Sequence, residues 1–210
     1  MPTHSIPYKN TGYFSKLICD YLEENDSLKP FYNRFPNVEN FSHQLIEKQK
    51  NFTDEKRHLL VKRIMVQYGD NSISQATLSN IDLLKEHTTF TITTGHQLNL
   101  FTGPLYFLYK IFSAINLAEK LNREYPNNHF VPIFWMATED HDFEEINYFN
   151  LFGKKVRWKR EADGAVGELS TEGLAEIQEL LKKEFGESEN AKTLNDCFYE
   201  AYIKHNNLAD

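Results

Sequence analysis

Two glycine-bearing polar clusters flank the start of one predicted helix, and their residue types suit the binding of an anion. They are Thr94-Gly95-His96-Gln97 and Phe101-Thr102-Gly103-Pro104, with Asn99 between them. A β-rich run over 89–93 leads into this glycine loop, and an apolar-striped helix begins at Leu105. The start of such a helix leaves backbone N–H groups unpaired beside the positive end of its dipole. The pattern therefore predicts a site for a phosphate or another anion.

Six positions of this loop are candidate ligand-binding residues, and a seventh is a candidate catalytic residue. The six are Thr94, Gly95, Gln97, Asn99, Thr102 and Gly103. The seventh is His96, because a neutral imidazole can donate to a phosphate or carboxylate oxygen and its cation offsets developing negative charge. A purely structural alternative stays open, in which Gly95 makes a tight turn and Gly103 caps a helix that begins with Pro104. The many polar side chains in the loop favour ligand binding, because a loop that only connects two elements does not require them.

A second polar cluster follows the next predicted strand, which runs over 131–138 and is nearly all apolar. Its sequence is Glu139-Asp140-His141-Asp142-Phe143-Glu144-Glu145. The spacing of Asp142 and Glu145 is that of a capping box, with Asp142 as the N-cap. The residues before the cap, Glu139, Asp140 and His141, are not explained by capping, and carboxylates there suit an ammonium group or a divalent cation. We predict catalytic roles for Asp140 and His141 and binding roles for Glu139 and Asp142.

The elements that must position these clusters form one predicted β-α-β unit. Its helix carries an apolar stripe, Leu105, Leu108, Phe112, Ile115 and Leu121. If the two strands are parallel neighbours, both clusters lie at the same carboxyl edge of one sheet. A ligand would then sit between them.

The rest of the chain is predicted as three segments around a parallel-sheet core at 88–152. Residues 1–87 form an N-terminal helical segment that packs on the core, residues 153–170 a small β connecting insertion, and residues 171–210 two amphipathic helices. Lys154 to Arg160 is predicted as a Lys-guarded edge strand, with substrate stacking on Trp158 as a weaker alternative. Because two parallel strands are not a stable domain, we expect an amino-terminal part of a longer protein that is inactive and poorly soluble alone.

Composition excludes several classes of partner. The 210 residues carry 23 basic and 30 acidic side chains, a net charge of −7, and no dense basic stripe, so nucleic acid is not an expected partner. No leader or long apolar span is present, which predicts a cytoplasmic protein without a membrane partner. Cys19 and Cys197 lie on the apolar sides of predicted helices, and we interpret them as reduced structural thiols.

Two long motifs resemble those of a known family, the bacillithiol biosynthesis cysteine-adding enzymes. The first is Thr94-Gly95-His96-Gln97-Leu98-Asn99-Leu100-Phe101-Thr102-Gly103-Pro104-Leu105-Tyr106, followed by Tyr109-Lys110-Ile111. The second is Pro132-Ile133-Phe134-Trp135-Met136-Ala137-Thr138-Glu139-Asp140-His141-Asp142-Phe143-Glu144-Glu145-Ile146. The resemblance implies an α/β fold with a Rossmann-like core, interrupted by connecting segments, and a homodimer formed through a later coiled coil.

The resemblance also implies an activity, a ligase that joins cysteine to the amino group of glucosaminyl malate. Amide formation from a free carboxylate needs activation, most simply by ATP, and no metal is implied. Many members of the family carry Gln at the position of His96, which favours positioning or polar binding for this side chain. Two alternatives from other classes stay open: a nucleotide-binding module without turnover, and a metal-dependent hydrolase built on His96, Asp140 and His141.

Overall fold

The computed structural model describes residues 4–69, 71–101 and 103–210, and the chain divides into two units, Met1–Thr88 and Thr89–Asp210. The first unit is helical, as its apolar stripes predict. Its α-helices are α1 (Lys16–Leu22), α2 (Phe41–Asn51), α3 (Asp54–Tyr68) and α4 (Gln75–Leu83), and 3-10 turns cover Tyr8–Asn10 and Asp26–Phe31. Thr53 and Ser74 are the N-caps of α3 and α4, and each accepts the backbone N–H three residues further on.

The interior of the first unit contains both aliphatic side chains and one charged group. The aliphatic members are Leu45, Val61, Ile81 and Leu84. Arg57 is buried beside them, and its guanidinium donates to the carbonyl oxygens of Leu84 at 3.2 Å and His87 at 3.3 Å. Two apolar residues near the start of this unit are exposed: Tyr13, which precedes α1, and Leu17, which lies within it.

The second unit begins with the predicted β-α-β arrangement, which the structure confirms. β1 (Thr89–Gln97) and β2 (His129–Ala137) are parallel and pair from Thr89 opposite His129 to Gln97 opposite Ala137. The 20-residue helix α5 (Leu105–Glu124) makes the crossover that parallel neighbours require. The carboxyl ends of both strands therefore meet at one edge, and both polar clusters follow it.

β1 is longer than predicted, because it continues to Gln97 instead of ending near Thr93. Thr94 to Gln97, assigned to a loop from the sequence, thus belong to the strand. Gly95 lies opposite Trp135, and a Cβ at Gly95 would lie 2.8 Å from Trp135 Cβ and 2.9 Å from its carbonyl oxygen. This glycine permits a close approach of two strands, so the tight-turn alternative is wrong.

The buried face of α5 differs from the predicted stripe. Ala114, Ala118 and Leu121 are buried, whereas Leu105, Leu108 and Phe112 are exposed. The helix is apolar on more than one face, and the two alanines let one of those faces lie close to the backbone of the sheet. Hydrophobic period alone does not distinguish between such faces, and the prediction is wrong for the first half of the helix.

A β-hairpin follows the second cluster. The short helix α6 (Phe143–Ile146) leads into β3 (Tyr148–Leu151), which pairs antiparallel with β4 (Lys154–Arg157). Phe152 and Gly153 connect the strands with φ angles of +48° and +78°, the left-handed pair that a two-residue hairpin turn of type I′ requires. The predicted boundary between 152 and 153 falls inside this turn, so the hairpin includes residues assigned to the core segment.

The core of the second unit lies beyond the carboxyl edge of the parallel sheet. It combines the hairpin region with α7 (Leu174–Phe185), α8 (Glu189–Phe198) and the π-helical turn Tyr199–Ile203. Its buried members include Leu100, Phe143, Ile146, Phe149, Trp158, Val166, Leu174, Leu181 and Phe198. Trp158 is 2% exposed and its indole N–H donates to Glu172 O, which contradicts the stacking alternative.

The two cysteines differ in exposure. Cys197 is exposed on α8 and Cys19 is partly buried on α1, and both thiols are free. The prediction of a structural thiol is therefore wrong for Cys197, because the buried face of α8 consists of Ala191, Asn195 and Phe198.

Among the described residues, none of the helices has the length and apolar character needed to cross a bilayer.

Candidate functional site

His96, near the carboxyl end of β1, is the centre of a local hydrogen-bond network. Its Nε2 lies 2.8 Å from the phenol oxygen of Tyr106, in the first turn of α5. Its Nδ1 lies 2.9 Å from the carbonyl oxygen of Gln97 and 3.0 Å from Nδ2 of Asn99. The ring of Phe107 meets the imidazole edge to face, with 5.5 Å between centroids. Both ring nitrogens are therefore occupied and the ring is only partly exposed.

The proton on His96 decides which of these contacts form at one time. With the proton on Nε2, the ring donates to the Tyr106 oxygen and accepts from Asn99 at Nδ1. With the proton on Nδ1, the ring donates to Gln97 O and accepts from the phenol. A protonated ring donates to both oxygens, while Asn99 Nδ2 donates to Gln97 O at 2.9 Å. The same frame thus accommodates each protonation state of the imidazole, and changing it changes what the Tyr106 hydroxyl does.

The segment after β1 is fixed by the core and by a distant tyrosine. Leu100 is 1% exposed, and its N–H donates to Ile146 O at 3.1 Å. The Phe101 N–H donates to the phenol oxygen of Tyr202 at 2.7 Å, and the Tyr202 hydroxyl lies 3.1 Å from Asn99 O. Burial raises the pKa of Tyr202 to about 12, so the phenol is a neutral donor at physiological pH. These contacts hold the Asn99 backbone, and thereby the side chain that meets His96.

Backbone conformation strengthens this fixation at two positions. Phe101 has a φ of +61°, which is uncommon for a residue with a side chain, and its ring packs on Phe149 and Phe198. Gly103 has the same φ, and a Cβ there would lie 2.8 Å from Asn99 Cβ. Gly103 is not the N-cap of α5, which is Pro104, so the helix begins one residue later than the structural alternative holds. Glycine is required at 103 by both conformation and space.

Three N–H groups of this segment are not open for an anion, contrary to the sequence prediction. The Leu100 N–H donates to Ile146 O and the Phe101 N–H donates to the Tyr202 phenol oxygen. The Gly103 N–H donates to Leu100 O. The prediction is wrong for these three groups, because their part of the chain packs on the core instead of forming an open glycine loop. The first turn of α5 still begins here, and the initial N–H groups of a helix have no acceptor within the helix.

The second cluster, after β2, is more open. Asp140 is partly buried, and its Oδ1 accepts the backbone N–H of Asp142 at 3.1 Å. Its carbonyl oxygen accepts the Val166 N–H at 2.7 Å, which ties the cluster to the segment before α7. Among the described residues, the side chains of Glu139, His141 and Asp142 are exposed and have no hydrogen bond or ion pair. Asp140 therefore has a local structural contact, while its neighbours project into solvent.

The predicted capping box does not form. Asp142 is the residue before α6, but its side chain accepts no cap hydrogen bond. Glu145 instead accepts a hydrogen bond from Gln97 Nε2 at 2.9 Å, and Glu144 pairs with Arg157 at 2.6 Å. The box fails because α6 has only four residues and both glutamates have partners on other elements.

The Gln97–Glu145 hydrogen bond connects the two clusters across the carboxyl edge. Gln97 is the last residue of β1 and pairs with Ala137, the last residue of β2, so the clusters follow adjacent strand ends. The structure brings His96, Gln97 and Asn99 together and places Thr94 and Gly95 just before them in β1. Thr102 lies outside the described residues. Among the described residues, no hydrogen bond joins the side chain of His96 to that of Asp140 or His141.

A metal centre has no geometric basis in the part of the chain that the structure describes. There, no group of three or more His, Cys, Asp or Glu side chains is arranged to hold an ion. His96, Asp140 and His141 are all described residues, and they do not form such a group. The hydrolase alternative loses its support, because it needs these three side chains around one cation.

Sequence reasoning missed two residues of the site. Tyr106 was noted only as part of a motif, yet its phenol is the partner of His96. Its position directly after the predicted helix start was a usable signal, because the first turn of a helix faces the preceding strand end. Tyr202 had no local signal, since it acts 101 residues away from Phe101.

The fold and the site define an α/β protein whose parallel β-α-β unit gathers polar residues at one carboxyl edge. Comparison with known families gives the particular group. The family model described as "Bacillithiol biosynthesis BshC, N-terminal Rossmann-like domain" matches residues 1–210. The chain belongs to this family, and the resemblance found in its two motifs is confirmed.

Curated relatives agree with the family assignment. Proteins named "Putative cysteine ligase BshC" are 58% identical in Flavobacterium johnsoniae, 56% in Flavobacterium psychrophilum and 53% in Christiangramia forsetii. Each match covers 100% of this chain and 40% of the relative. The chain therefore spans about 40% of the length of these relatives.

Proposed function

We propose that this chain is part of a ligase that joins cysteine to the amino group of glucosaminyl malate in bacillithiol biosynthesis. The observation that carries the proposal is the family match over residues 1–210, together with relatives that are named as cysteine ligases. The geometry supports it through the Gln97–Glu145 hydrogen bond, which sets an amide- and imidazole-rich strand end beside a carboxylate-rich one. Amide formation needs both an activated carboxyl group and an amine, and two neighbouring clusters of different chemistry suit that need.

The carboxylate-rich cluster is the proposed site for the amine. Glu139 and Asp142 are exposed and unpaired, and Asp140 uses only one carboxylate oxygen in its local contact. A charge-assisted hydrogen bond to an ammonium group is one of the stronger polar contacts in proteins. We therefore propose that Asp140, with Glu139 and Asp142, holds the ammonium of cysteine or of the amino sugar, and that His141 is near the reacting atoms.

The strand-end cluster is the proposed site for the anionic part of the reaction. ATP is the proposed activator of the carboxylate, by way of an acyl-adenylate or an acyl-phosphate. Thr94, Gly95, Gln97, Asn99, Thr102 and Gly103 are the proposed binding positions, with the first turn of α5 beside them. His96 is proposed to act through Tyr106, its hydrogen-bond partner at 2.8 Å. The packing of residues 1–87 on the core, a cytoplasmic location and a coiled-coil homodimer stay predictions from the sequence.

The test is a reconstitution with the full-length protein. Cysteine, glucosaminyl malate and ATP are incubated with the enzyme, and the thiol product is sought by mass spectrometry. We expect a product whose mass equals that of the two substrates joined with loss of water, and no product when ATP is omitted. Product without ATP would remove the nucleotide from the proposal and leave the ligation. ATP binding without any product would favour a nucleotide-binding module without turnover.

A further inference from the structure

A groove of about 410 Å3 lies between β1 and α5, and Tyr106, the hydrogen-bond partner of His96, is part of its lining. Its polar lining consists of Thr93, Thr94, Tyr106, Tyr109, Lys110 and Ser113, and its apolar lining includes Ile92 and Leu117. The volume is within the range of small-molecule sites, which run from roughly 300 to 1,000 Å3. A pocket with an apolar wall and a few convergent polar groups is the usual form of such a site.

Helical spacing explains why the polar groups converge. Tyr106, Lys110, Ser113 and Leu117 follow one another at intervals of four, three and four residues, so they lie on one face of α5. Thr94 and Ile92 alternate along β1 and therefore point to the same face of the sheet. The groove thus lies where this helix face meets residues 92–94 of β1, and two residues of the motif Tyr109-Lys110-Ile111, Tyr109 and Lys110, line it.

Among the described residues that line the groove, Lys110 has the only charged side chain, and none of the others supplies a counter-charge. It is partly buried, and no carboxylate of the described residues forms an ion pair with its ammonium. The eight ion pairs of the described residues are made by six other lysines and two arginines, and none by Lys110. A cation held partly out of water without a partner is an open position for an anion.

Hydroxyl groups that line the groove with Lys110 are available as hydrogen-bond donors. The side chains of Thr94 and Ser113 have no hydrogen bond within the described residues. Tyr106 is able to donate into the groove when His96 carries its proton on Nε2, because the phenol then accepts from the imidazole and its own proton is free. Asn99 favours that state by donating to Nδ1 at 3.0 Å. His96 therefore links the groove to the strand-end cluster.

We propose that this groove binds the carboxylate or phosphate group of a small molecule, with Lys110 as the counter-charge and the hydroxyls of Tyr106, Thr94 and Ser113 as donors. The apolar wall formed by Ile92 and Leu117 receives the carbon part of the ligand. In the ligase this anion belongs to a substrate or to the nucleotide, and that extension rests on the proposed function. Anion binding at Lys110 itself does not depend on it.

The experiment measures anion binding to the full-length protein by calorimetry, with pyrophosphate as the phosphate probe and L-malate as the carboxylate probe. The variants are Lys110→Gln, which removes the charge at similar length, and Lys110→Arg, which keeps it. Lys120→Gln is the matched control, because Lys120 is an exposed lysine on the same helix without an ion pair. Tyr106→Phe tests the hydroxyl with little change in shape.

We expect at least one probe to bind the wild type, and we expect Lys110→Gln to weaken that binding roughly 10-fold or more. Lys110→Arg should stay within about threefold of the wild type, and Tyr106→Phe should weaken binding by less than Lys110→Gln does. The probe that binds distinguishes a phosphate ligand from a carboxylate ligand. Equal affinity in the wild type, Lys110→Gln and Lys120→Gln would overturn the proposal, and so would the absence of binding by both probes.

The ligase assay separates this proposal from the proposed function. Anion binding that depends on Lys110, without formation of the thiol product, would uphold the groove and reject the ligase. Product formation at an unchanged kcat/KM in Lys110→Gln, with unchanged anion binding, would reject the groove and uphold the ligase.

Discussion

The two strand ends that form the candidate site differ in how firmly their side chains are held. At the end of β1, His96 has contacts at both ring nitrogens, and the following segment is fixed by Leu100 and Tyr202. At the end of β2, the backbone is held by Val166, but Glu139 and His141 are exposed and unpaired. The comparison indicates that the first end is preorganised, whereas the side chains of the second are ordered by what they bind.

The largest expected effect comes from removing the anchor of the first strand end. Leu100→Ala should lower the free energy of unfolding by about 2 to 5 kcal/mol, because Leu100 is almost fully buried among the core residues. The measurement is the urea unfolding midpoint of the full-length protein. Leu105→Ala is the matched control, since Leu105 is 66% exposed on α5 and should change stability by less than about 1 kcal/mol. Equal losses in the two variants would show that the segment is not anchored as described.

The next effect sharpens the role of the second strand end. Asp140→Asn keeps an oxygen that accepts the Asp142 N–H but removes the charge. The substitution should lower kcat/KM for the proposed ligation by roughly 10 to 150-fold, with little change in Tm. This range corresponds to the loss of a charge-assisted hydrogen bond worth about 1.5 to 3 kcal/mol.

Asp140→Ala serves as the comparison for that variant. It removes both the charge and the local contact, so its kcat/KM should fall at least as far, and its Tm should fall as well. Turnover within twofold of wild type in a folded Asp140→Asn protein would leave Asp140 with a purely structural role.

A third prediction concerns Tyr202, which fixes the segment after β1 from a distance. Tyr202→Phe leaves the Phe101 N–H without its acceptor and should cost about 1 to 3 kcal/mol of unfolding free energy. Tyr199→Phe, at a tyrosine that is 43% exposed on the same turn, should cost less than about 0.5 kcal/mol. Urea unfolding of both variants at neutral pH gives the comparison.

The same tyrosine predicts a pH dependence of stability. Its pKa is raised to about 12 in the folded chain, above the ordinary value of 10.0, so the folded state holds this proton more tightly. The stabilisation is fully present below pH 10 and is lost as the pH rises through about 12. Between pH 9 and pH 11 the advantage of wild type over Tyr202→Phe should shrink by about 1 kcal/mol. An advantage that is constant over this interval would place the phenol in water.

The smallest effect tests the connection between the two strand ends. Glu145→Ala removes the acceptor of Gln97 Nε2, but Glu145 is exposed and water can replace it. We expect a loss of less than about 1 kcal/mol in unfolding free energy. A loss as large as that of Leu100→Ala would mean that the two ends stabilise each other, and the contrast between a fixed end and an open end would then fail.

Sequence alone determined the β-α-β unit and the family. The sequence contains, in this order, a β-rich run, two glycine-bearing clusters, a long helix and an apolar strand. This is the order of elements in a right-handed parallel crossover. Two motifs within that unit were specific enough to indicate the family that the comparison confirms. Such signals are local, because they depend on residue types at short spacing. They can therefore be found in the sequence without knowledge of the tertiary structure.

Only the tertiary structure decided how the side chains at the site are used. Glu145 has the spacing of a capping residue, yet it pairs with Gln97 from another strand, and Tyr202 meets Phe101 across 101 residues. Gly95 predicts a loop at the end of β1, because glycine weakens a strand, and its close approach to Trp135 becomes visible only once the strands are paired. Local pattern fixes the order of elements, but hydrogen-bond partners are chosen among all groups that folding brings within about 3 Å of one another.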